Sequence, residues 1–227
     1  GFYHSLIDWH HPHYTLDRIH PLRDEKNLAE LNEGRDMRKY ADYLHGQTRE
    51  LLTEFGKIDI LWYDFSYPGC SVSTDPILAK GKGKDDWRSE ELLAMIRELQ
   101  PHLIVNDRLE IDQDVKTPEQ IQPEQWVLVD GKPVVWEACH TFSGSWGYHR
   151  DETTWKSPEQ LINTLVNSVA CGGNLLMNVG PNGRGEFDSR AFDALGVYAD
   201  WMRVNQRSIY GCTQSEFEAP DGCRYTQ

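Results

Sequence analysis

Ile58-Asp59-Ile60-Leu61-Trp62-Tyr63-Asp64-Phe65 is a run of aliphatic and aromatic residues that ends on a carboxylate, and stretches of helical period flank it on both sides. Its length and composition are those of a buried strand. On the N-terminal side, Asp36 to Phe55 carries an amphipathic pattern that stops at Gly56, a residue suited to the left-handed turn that closes a helix. On the C-terminal side, a loop rich in Gly, Ser and Lys (Ser66 to Lys84) leads to Ser89, read as the N-cap of a helix over Glu90 to Gln100. Pro101 stops that helix ahead of a further strand, Leu103 to Asp107. Helix, strand, helix, strand is the signature of βα units around a parallel sheet.

The alternation continues outward. Phe2 to Ile7 reads as a strand, followed by a His- and Pro-rich segment, Asp8 to Pro21. Val134 to Ala138 reads as the fourth strand. Ser157, Pro158 and Gln160 read as N-cap, first-turn proline and capping-box glutamine of a helix reaching about Cys171. Gly172-Gly173 ends it before the fifth strand, Asn174 to Val179, and a last helix covers Ser189 to Asn205. The predicted class is α/β, a partial (β/α)8 TIM-type barrel with about five βα units, because closure takes eight strands and typically about 250 residues. Residues 1–210 are assigned to the C-terminal part of such a barrel. Residues 211–227 lose helical period and read as a linker or the first strand of a further domain. Five strands leave open edges, which predicts either association with another copy of the chain or an N-terminal segment that completes the barrel.

Composition narrows the function. The chain has 227 residues, with 23 Lys+Arg against 36 Asp+Glu, a formal net charge of -13. That is the wrong sign for tracking phosphates or anionic lipid, so neither nucleic acid nor a membrane surface is an expected partner. Mean hydropathy is -0.64, and no apolar run approaches the roughly 20 residues of a membrane span. Gly1-Phe2-Tyr3-His4-Ser5 is not a charged region leading into an apolar stretch, so no signal peptide is visible and the compartment stays open. The cysteines (Cys70, Cys139, Cys171, Cys212, Cys223) include no CxxC pair and are read as thiols, with Cys212 and Cys223 the one pair spaced to bridge under oxidation. Eight Trp and ten Tyr supply the flat rings that stack on the apolar face of a sugar.

Active sites of βα barrels sit at the C-terminal ends of the strands, which directs attention to the residues found there. Asp64 closes one strand beside Trp62 and Tyr63, and Asp107-Arg108 closes the next with a fixed cation. Cleaving a glycosidic bond requires a second carboxyl group. Glu110, Glu119, Glu124 and Glu137 are all candidates; strand position alone favours Glu137, behind Trp136, whereas Glu119 in Thr117-Pro118-Glu119 reads as a loop residue. His10-His11-Pro12-His13 has no helical i, i+4 pair and no matching third ligand, so it is read as a loop that supports the site, with no metal or other cofactor expected. Gly144-Ser145-Trp146-Gly147 breaks the esterase frame, and Gly180 to Gly185 lacks the Lys-Ser/Thr end of a phosphate loop.

Taken in order, several segments resemble the α-L-fucosidases of glycoside hydrolase family 29. They are Phe2 to Leu6 with Asp8-Trp9-His10-His11-Pro12, Leu61 to Asp64, Val105 to Arg108, Thr117 to Glu119, Trp136-Glu137, Ser145 to Tyr148, and Asn174 to Pro181. The resemblance implies a retaining exo-hydrolase that removes terminal α-linked L-fucose from fucosylated glycans, on a (β/α) barrel followed by a C-terminal β-sandwich. By motif position it implies Asp64 as nucleophile and Glu119 as acid/base, with Glu137 as the rival. It further implies Tyr3, Trp62, Arg108 and Trp146 as sugar contacts, the rings facing the C6 methyl of fucose. The family's opening histidine segments, including a His-His-Asp-Gly-Phe motif, are not among these residues, and His4 stands where the family more often has Tyr.

Overall fold

The computed structural model describes residues 1–69 and 73–227, which form two compact units, Gly1–Asp114 and Val115–Gln227. Cys70 lies outside the described residues; Cys139, Cys171, Cys212 and Cys223 are not in disulfides. Among the described residues no helix is long and apolar enough to cross a membrane.

In the first unit, strands β1 (Phe2–Ser5), β2 (Ile60–Asp64) and β3 (Ile104–Val105) form one parallel sheet in chain order, with Tyr3 opposite Trp62, Ser5 opposite Asp64 and Leu61 opposite Val105. Side chains alternate along a strand and match across it. One face therefore presents Leu61, Tyr63 and Val105 to the helices, and the other presents Tyr3, Ser5, Trp62 and Asp64. The short helix α1 (Leu28–Leu31) precedes α2 (Met37–Glu54), which starts where the Asp36 carboxylate accepts the Arg38 amide and buries Tyr40, Leu44, Thr48 and Leu52. Two side-chain bonds fix its height on the sheet: Tyr40 Oη donates to the Leu6 carbonyl at 2.8 Å, and Thr48 and Tyr63 share a hydroxyl bond of 2.8 Å. The helices α3 (Lys84–Trp87) and α4 (Ser89–Leu99) then pack Trp87, Leu92 and Ile96 into the same core.

Two boundaries differ from expectation. Ser89 is not the N-cap: α3 runs directly into α4 through Arg88 at φ 49°, and Arg88 is held in that left-handed conformation by ion pairs to Asp42 (2.6 Å) and Glu91 (2.9 Å). The strand predicted over Leu103 to Asp107 is only two residues long, because Asp107–Leu109 winds into a 3-10 turn. The ladder is nonetheless extended by a side chain, since Asn106 Oδ1 accepts the Tyr63 amide and its Nδ2 donates to the Tyr63 carbonyl, both at 2.8 Å.

A buried polar cluster ties the loops after β1 and β2 together. Lys82 Nζ lies 2.9 Å from Asp17 Oδ2, the two side chains being 2% and 0% exposed. Tyr67 Oη donates to the same oxygen at 2.7 Å, while the amides of Ile19 and His20 donate to Oδ1 at 3.1 Å. Tyr67 and Lys82 also exchange backbone bonds, so close that a Cβ on Gly81 would fall 1.6 Å from the Tyr67 carbonyl oxygen.

In the second unit, a hairpin of β4 (Leu128–Val129) and β5 (Lys132–Pro133) turns at Asp130 (φ 49°) and Gly131 (φ 74°), the paired positive angles of a type I′ turn. Strands β6 (Glu137–Thr141) and β7 (Asn174–Asn178) pair in parallel, Glu137 with Asn174 through Thr141 with Asn178. The fourth strand is thus displaced from the expected Val134–Ala138, since β7 can pair only from Asn174 onward, after the Gly172-Gly173 turn. Residues 116–120 lie parallel along the other edge of β6, with Lys116 opposite Trp136 and Glu119 opposite Cys139. Pro118 cannot donate the intervening rung, so pairing is made on either side of it. Glu119 thus lies in the irregular segment expected, fixed there by an isolated bridge to Cys139. Helix α5 (Pro158–Ala170) carries the expected capping box of Ser157 and Gln160, and α6 (Ser189–Asn205) begins at the Asp188 cap. In residues 211–227, Thr213 and Gln227 exchange backbone bonds and close an antiparallel loop.

Among the described residues, the parallel strands form a three-stranded sheet in the first unit and a pair in the second, an arrangement compatible with part of an α/β fold. Lys82→Met leaves the Asp17 carboxylate buried without its cation, and the expected cost is about 3–5 kcal/mol of unfolding free energy. Chemical denaturation of the two proteins measures it, and a loss under about 1 kcal/mol would show the pair to be dispensable.

Candidate active site

Asp64 is the last residue of β2, and three donors converge on its carboxylate. Tyr3 Oη donates to Oδ2 at 2.8 Å; the Arg108 guanidinium (3.1 Å) and the Phe65 amide (2.8 Å) donate to Oδ1. Each donor follows from local structure. Tyr3 shares the face of Asp64 through the β1–β2 register, Arg108 sits in the turn that follows β3, and the Phe65 amide is the next N–H along the chain, within reach of the Asp64 side chain. The Tyr3 ring stacks on Trp62 at 6.0 Å and 18°, and the Arg108 guanidinium lies 5.1 Å from the Trp62 ring centroid. Asp64 and Arg108 side chains are 20% and 21% exposed, so their charges are partly shielded from water while one side stays open to a ligand. Tyr3, Trp62, Asp64 and Arg108, all anticipated from sequence, are thus one contact group.

In the second unit, the pairing of residues 116–120 with β6 places Thr117 opposite Glu137, so Thr117, Glu119, Glu137 and Cys139 share one face. Both carboxylates anticipated for the second role lie on that face. They differ in height: Glu137 is the first residue of β6, whereas Glu119 stands level with Cys139, two residues nearer the C-terminal end. The strand position that favoured Glu137 in the sequence is corrected, since its strand begins there instead of ending there. Glu110 ends the turn after Arg108 at φ 59°, and Glu124 is exposed.

Trp146 lies on the loop after β6, 40% exposed, and its carbonyl accepts Asn178 Nδ2 from the end of β7 at 2.7 Å. Beside it is a small cleft of about 20 Å³ lined by Phe142, Ser145, Tyr148, Glu152, Trp155 and Asn178. Glu152 organises this loop and was not singled out in the sequence. It is 8% exposed; Ser145 Oγ donates to Oε2 at 2.5 Å, and the Thr154 amide (2.7 Å) and hydroxyl (2.6 Å) donate to Oε1. The Ser145 hydroxyl, with the Thr154 hydroxyl and amide, holds the Glu152 carboxyl down to about 2. No spacing signature marks such a clamp; Asp151-Glu152 reads as surface charge.

The histidine loop does not gather ligands. His11 stacks on Tyr43 at 4.5 Å and meets Tyr40 edge-on at 5.2 Å, and desolvation by these neighbours lowers its pKa. Among the described residues no three His, Cys, Asp or Glu side chains come together to hold a metal ion.

In the first unit, then, a carboxylate, an arginine and two aromatic planes meet at the C-terminal end of a parallel strand. A family model described as Alpha-L-fucosidase matches residues 1–207, and the chain belongs to that family. It is 28% identical to an α-L-fucosidase of Dictyostelium discoideum over 93% of this chain and 42% of that protein. Among solved structures, α-L-fucosidase isoenzyme 1 from Paenibacillus thiaminolyticus is 42% identical with a TM-score of 0.88, over 100% of this chain and 54% of that one. A Thermotoga maritima α-fucosidase in complex with a mechanism-based inhibitor is 33% identical with a TM-score of 0.62, over 83% of this chain and 39% of that one. The chain therefore spans about half the length, or less, of these relatives.

Because the folded-state pKa of Glu152 is depressed, the stability it contributes is full above its ordinary value of 4.5 and is lost as pH falls from there toward about 2. Glu152→Gln is expected to flatten the fall in melting temperature across that acid window. Parallel curves for the two proteins would show that the clamp does not titrate with folding.

Proposed function

We propose that this chain carries the catalytic residues of a retaining exo-α-L-fucosidase acting on terminal α-L-fucose of fucosylated glycans. The observation that carries the reading is the convergence of Tyr3, Arg108 and the Phe65 amide on Asp64 beside the Trp62 plane, at the C-terminal end of a parallel strand. Residues 1–210 are read as the C-terminal part of the catalytic (β/α)8 barrel and residues 211–227 as the link to a C-terminal β-sandwich. The remaining strands of the barrel are supplied by further chain or by a second copy.

In the first step, Asp64 Oδ attacks the anomeric carbon as the bond to the leaving oxygen breaks, and the Glu119 carboxyl passes its proton to that oxygen. This gives a covalent fucosyl-aspartate. In the second, Glu119 as carboxylate takes a proton from water, whose oxygen attacks the same carbon and frees Asp64. Net retention follows from two inversions. Glu119 is preferred to Glu137 because it lies nearer the strand end where barrel sites are built. Tyr3 and Arg108 aim the nucleophile, and Trp62 and Trp146 offer apolar planes to the C6 methyl. The inhibitor complex of the Thermotoga maritima relative is consistent with this chemistry.

Hydrolysis of an aryl α-L-fucoside tests the proposal. Asp64→Ala is expected to lose at least about 10³-fold in kcat and Glu119→Ala about 10²–10⁴-fold on substrates with poor leaving groups. Azide should rescue both, giving β-fucosyl azide from Asp64→Ala and α-fucosyl azide from Glu119→Ala, while Glu137→Ala stays within an order of magnitude of wild type. Undiminished turnover in Asp64→Ala would sink the assignment. Fucose binding by wild-type protein without turnover would favour a non-catalytic carbohydrate-binding role or an inactive fragment.

A further inference from the structure

Arg108 has to present its guanidinium to Asp64 from a 3-10 turn of three residues, Asp107–Leu109, that follows a strand of only two. So short a turn holds its own backbone weakly. The Arg108 carbonyl, however, accepts a 2.5 Å hydrogen bond from Ser66 Oγ, and Ser66 Oγ accepts one of 2.9 Å from the indole Nε1 of Trp87. The direction of this relay is fixed by chemistry. An indole N–H can only donate and a carbonyl can only accept, so the single hydroxyl hydrogen of Ser66 must point at Arg108. Trp87 is fully buried in the core of the first unit, and its own carbonyl is bonded to His45 Nε2 of α2 at 2.9 Å.

The left-handed turn at Phe65 swings Ser66 out of line with β2, and the Phe65 amide is secured on Asp64 Oδ1. A non-glycine residue with this backbone costs free energy that the surrounding structure must offset. Here the segments bearing the two charged groups are joined twice, by the Arg108–Asp64 ion pair itself and by the Ser66–Arg108 bond.

We infer that Ser66 is a positioning residue: anchored by Trp87, it holds the Arg108 backbone so that the guanidinium meets Asp64 and lies over Trp62. The kinetic consequence of this inference rests on the fucosidase reading; its structural content does not. The Ser66 hydroxyl bonds the Arg108 carbonyl and the Trp87 indole, and it acts on Asp64 through Arg108.

The test compares Ser66→Ala, Ser66→Thr and Trp87→Phe with wild type on an aryl α-L-fucoside, and follows by NMR the hydrogen exchange of the Arg108 guanidinium, assigned with Arg108→Lys. Misplacement of a catalytic group on the ångström scale costs up to about 10²-fold. Ser66→Ala is expected to lower kcat by roughly 10- to 100-fold while KM moves less than about threefold, and to speed guanidinium exchange about tenfold. Ser66→Thr, which keeps the hydroxyl, restores both toward wild type, and Trp87→Phe reproduces the change in weaker form. If Ser66→Ala does not fold, Trp87→Phe and Ser66→Thr carry the comparison. Unchanged kcat together with unchanged exchange overturns the inference, as does a loss in Ser66→Ala that Ser66→Thr shares. An inactive wild type whose Arg108 protection is lost in Ser66→Ala would count against the fucosidase reading and leave the positioning role standing.

Discussion

Parallel pairing of β1 with β2 is the constraint on which the first unit depends. With Tyr3 opposite Trp62 and Ser5 opposite Asp64, the period of two sends Leu61 and Tyr63 to the helices and Tyr3, Trp62 and Asp64 to the opposite face. A slip of one residue would bury Asp64 in the helix-facing core and expose Tyr63, which is completely buried in the observed register. The apolar core beneath α2 and α4 thus specifies the register, and the register places the candidate nucleophile. Stability and chemistry are set by one alternation.

Polar side chains standing in for backbone extend this plan where the strands run out. Asn106 completes the β3 side of the ladder against Tyr63, Asp17 holds Lys82 and Tyr67 beneath the loops after β1 and β2, and Glu152 gathers Ser145 and Thr154 in the loop bearing Trp146. Removing charges from water costs several kcal/mol per ion, repaid only when the remaining lone pairs and protons are satisfied. Asp17 meets that condition with a cation, a phenol and two amides. The loops that frame strand ends can therefore be ordered without long secondary structure of their own.

Similarity to the Paenibacillus protein extends over the whole chain, and to the Thermotoga protein over most of it. In both cases the matched part is about half of the relative or less. The residues proposed for the chemistry fall in both compact units: Tyr3, Trp62, Asp64 and Arg108 in one, Glu119, Glu137 and Trp146 in the other.

Local information was enough to name most helices, since capping and periodicity act within a few residues. Asp36, Ser157-Pro158-Gln160 and the span Ser189–Asn205 read directly as they fold. Asp64 and Arg108 were also legible, because each closes or follows an apolar run. The sequence could not show that Thr117-Pro118-Glu119 pairs with β6, as proline hides the strand signal and the partner lies twenty residues away. Nor could it place Glu137 at the start of its strand, a boundary set by where β7 begins to pair. The Asp17–Lys82 pair, 65 residues apart, and the Ser66–Arg108 bond, 42 apart, leave no pattern at all. The sequence by itself determined the elements, their order and the residue types at the strand ends; the tertiary structure alone decided which of those residues meet. Periodicity and capping are properties of neighbours in the chain, whereas hydrogen bonds between distant loops exist only once the strands are in register.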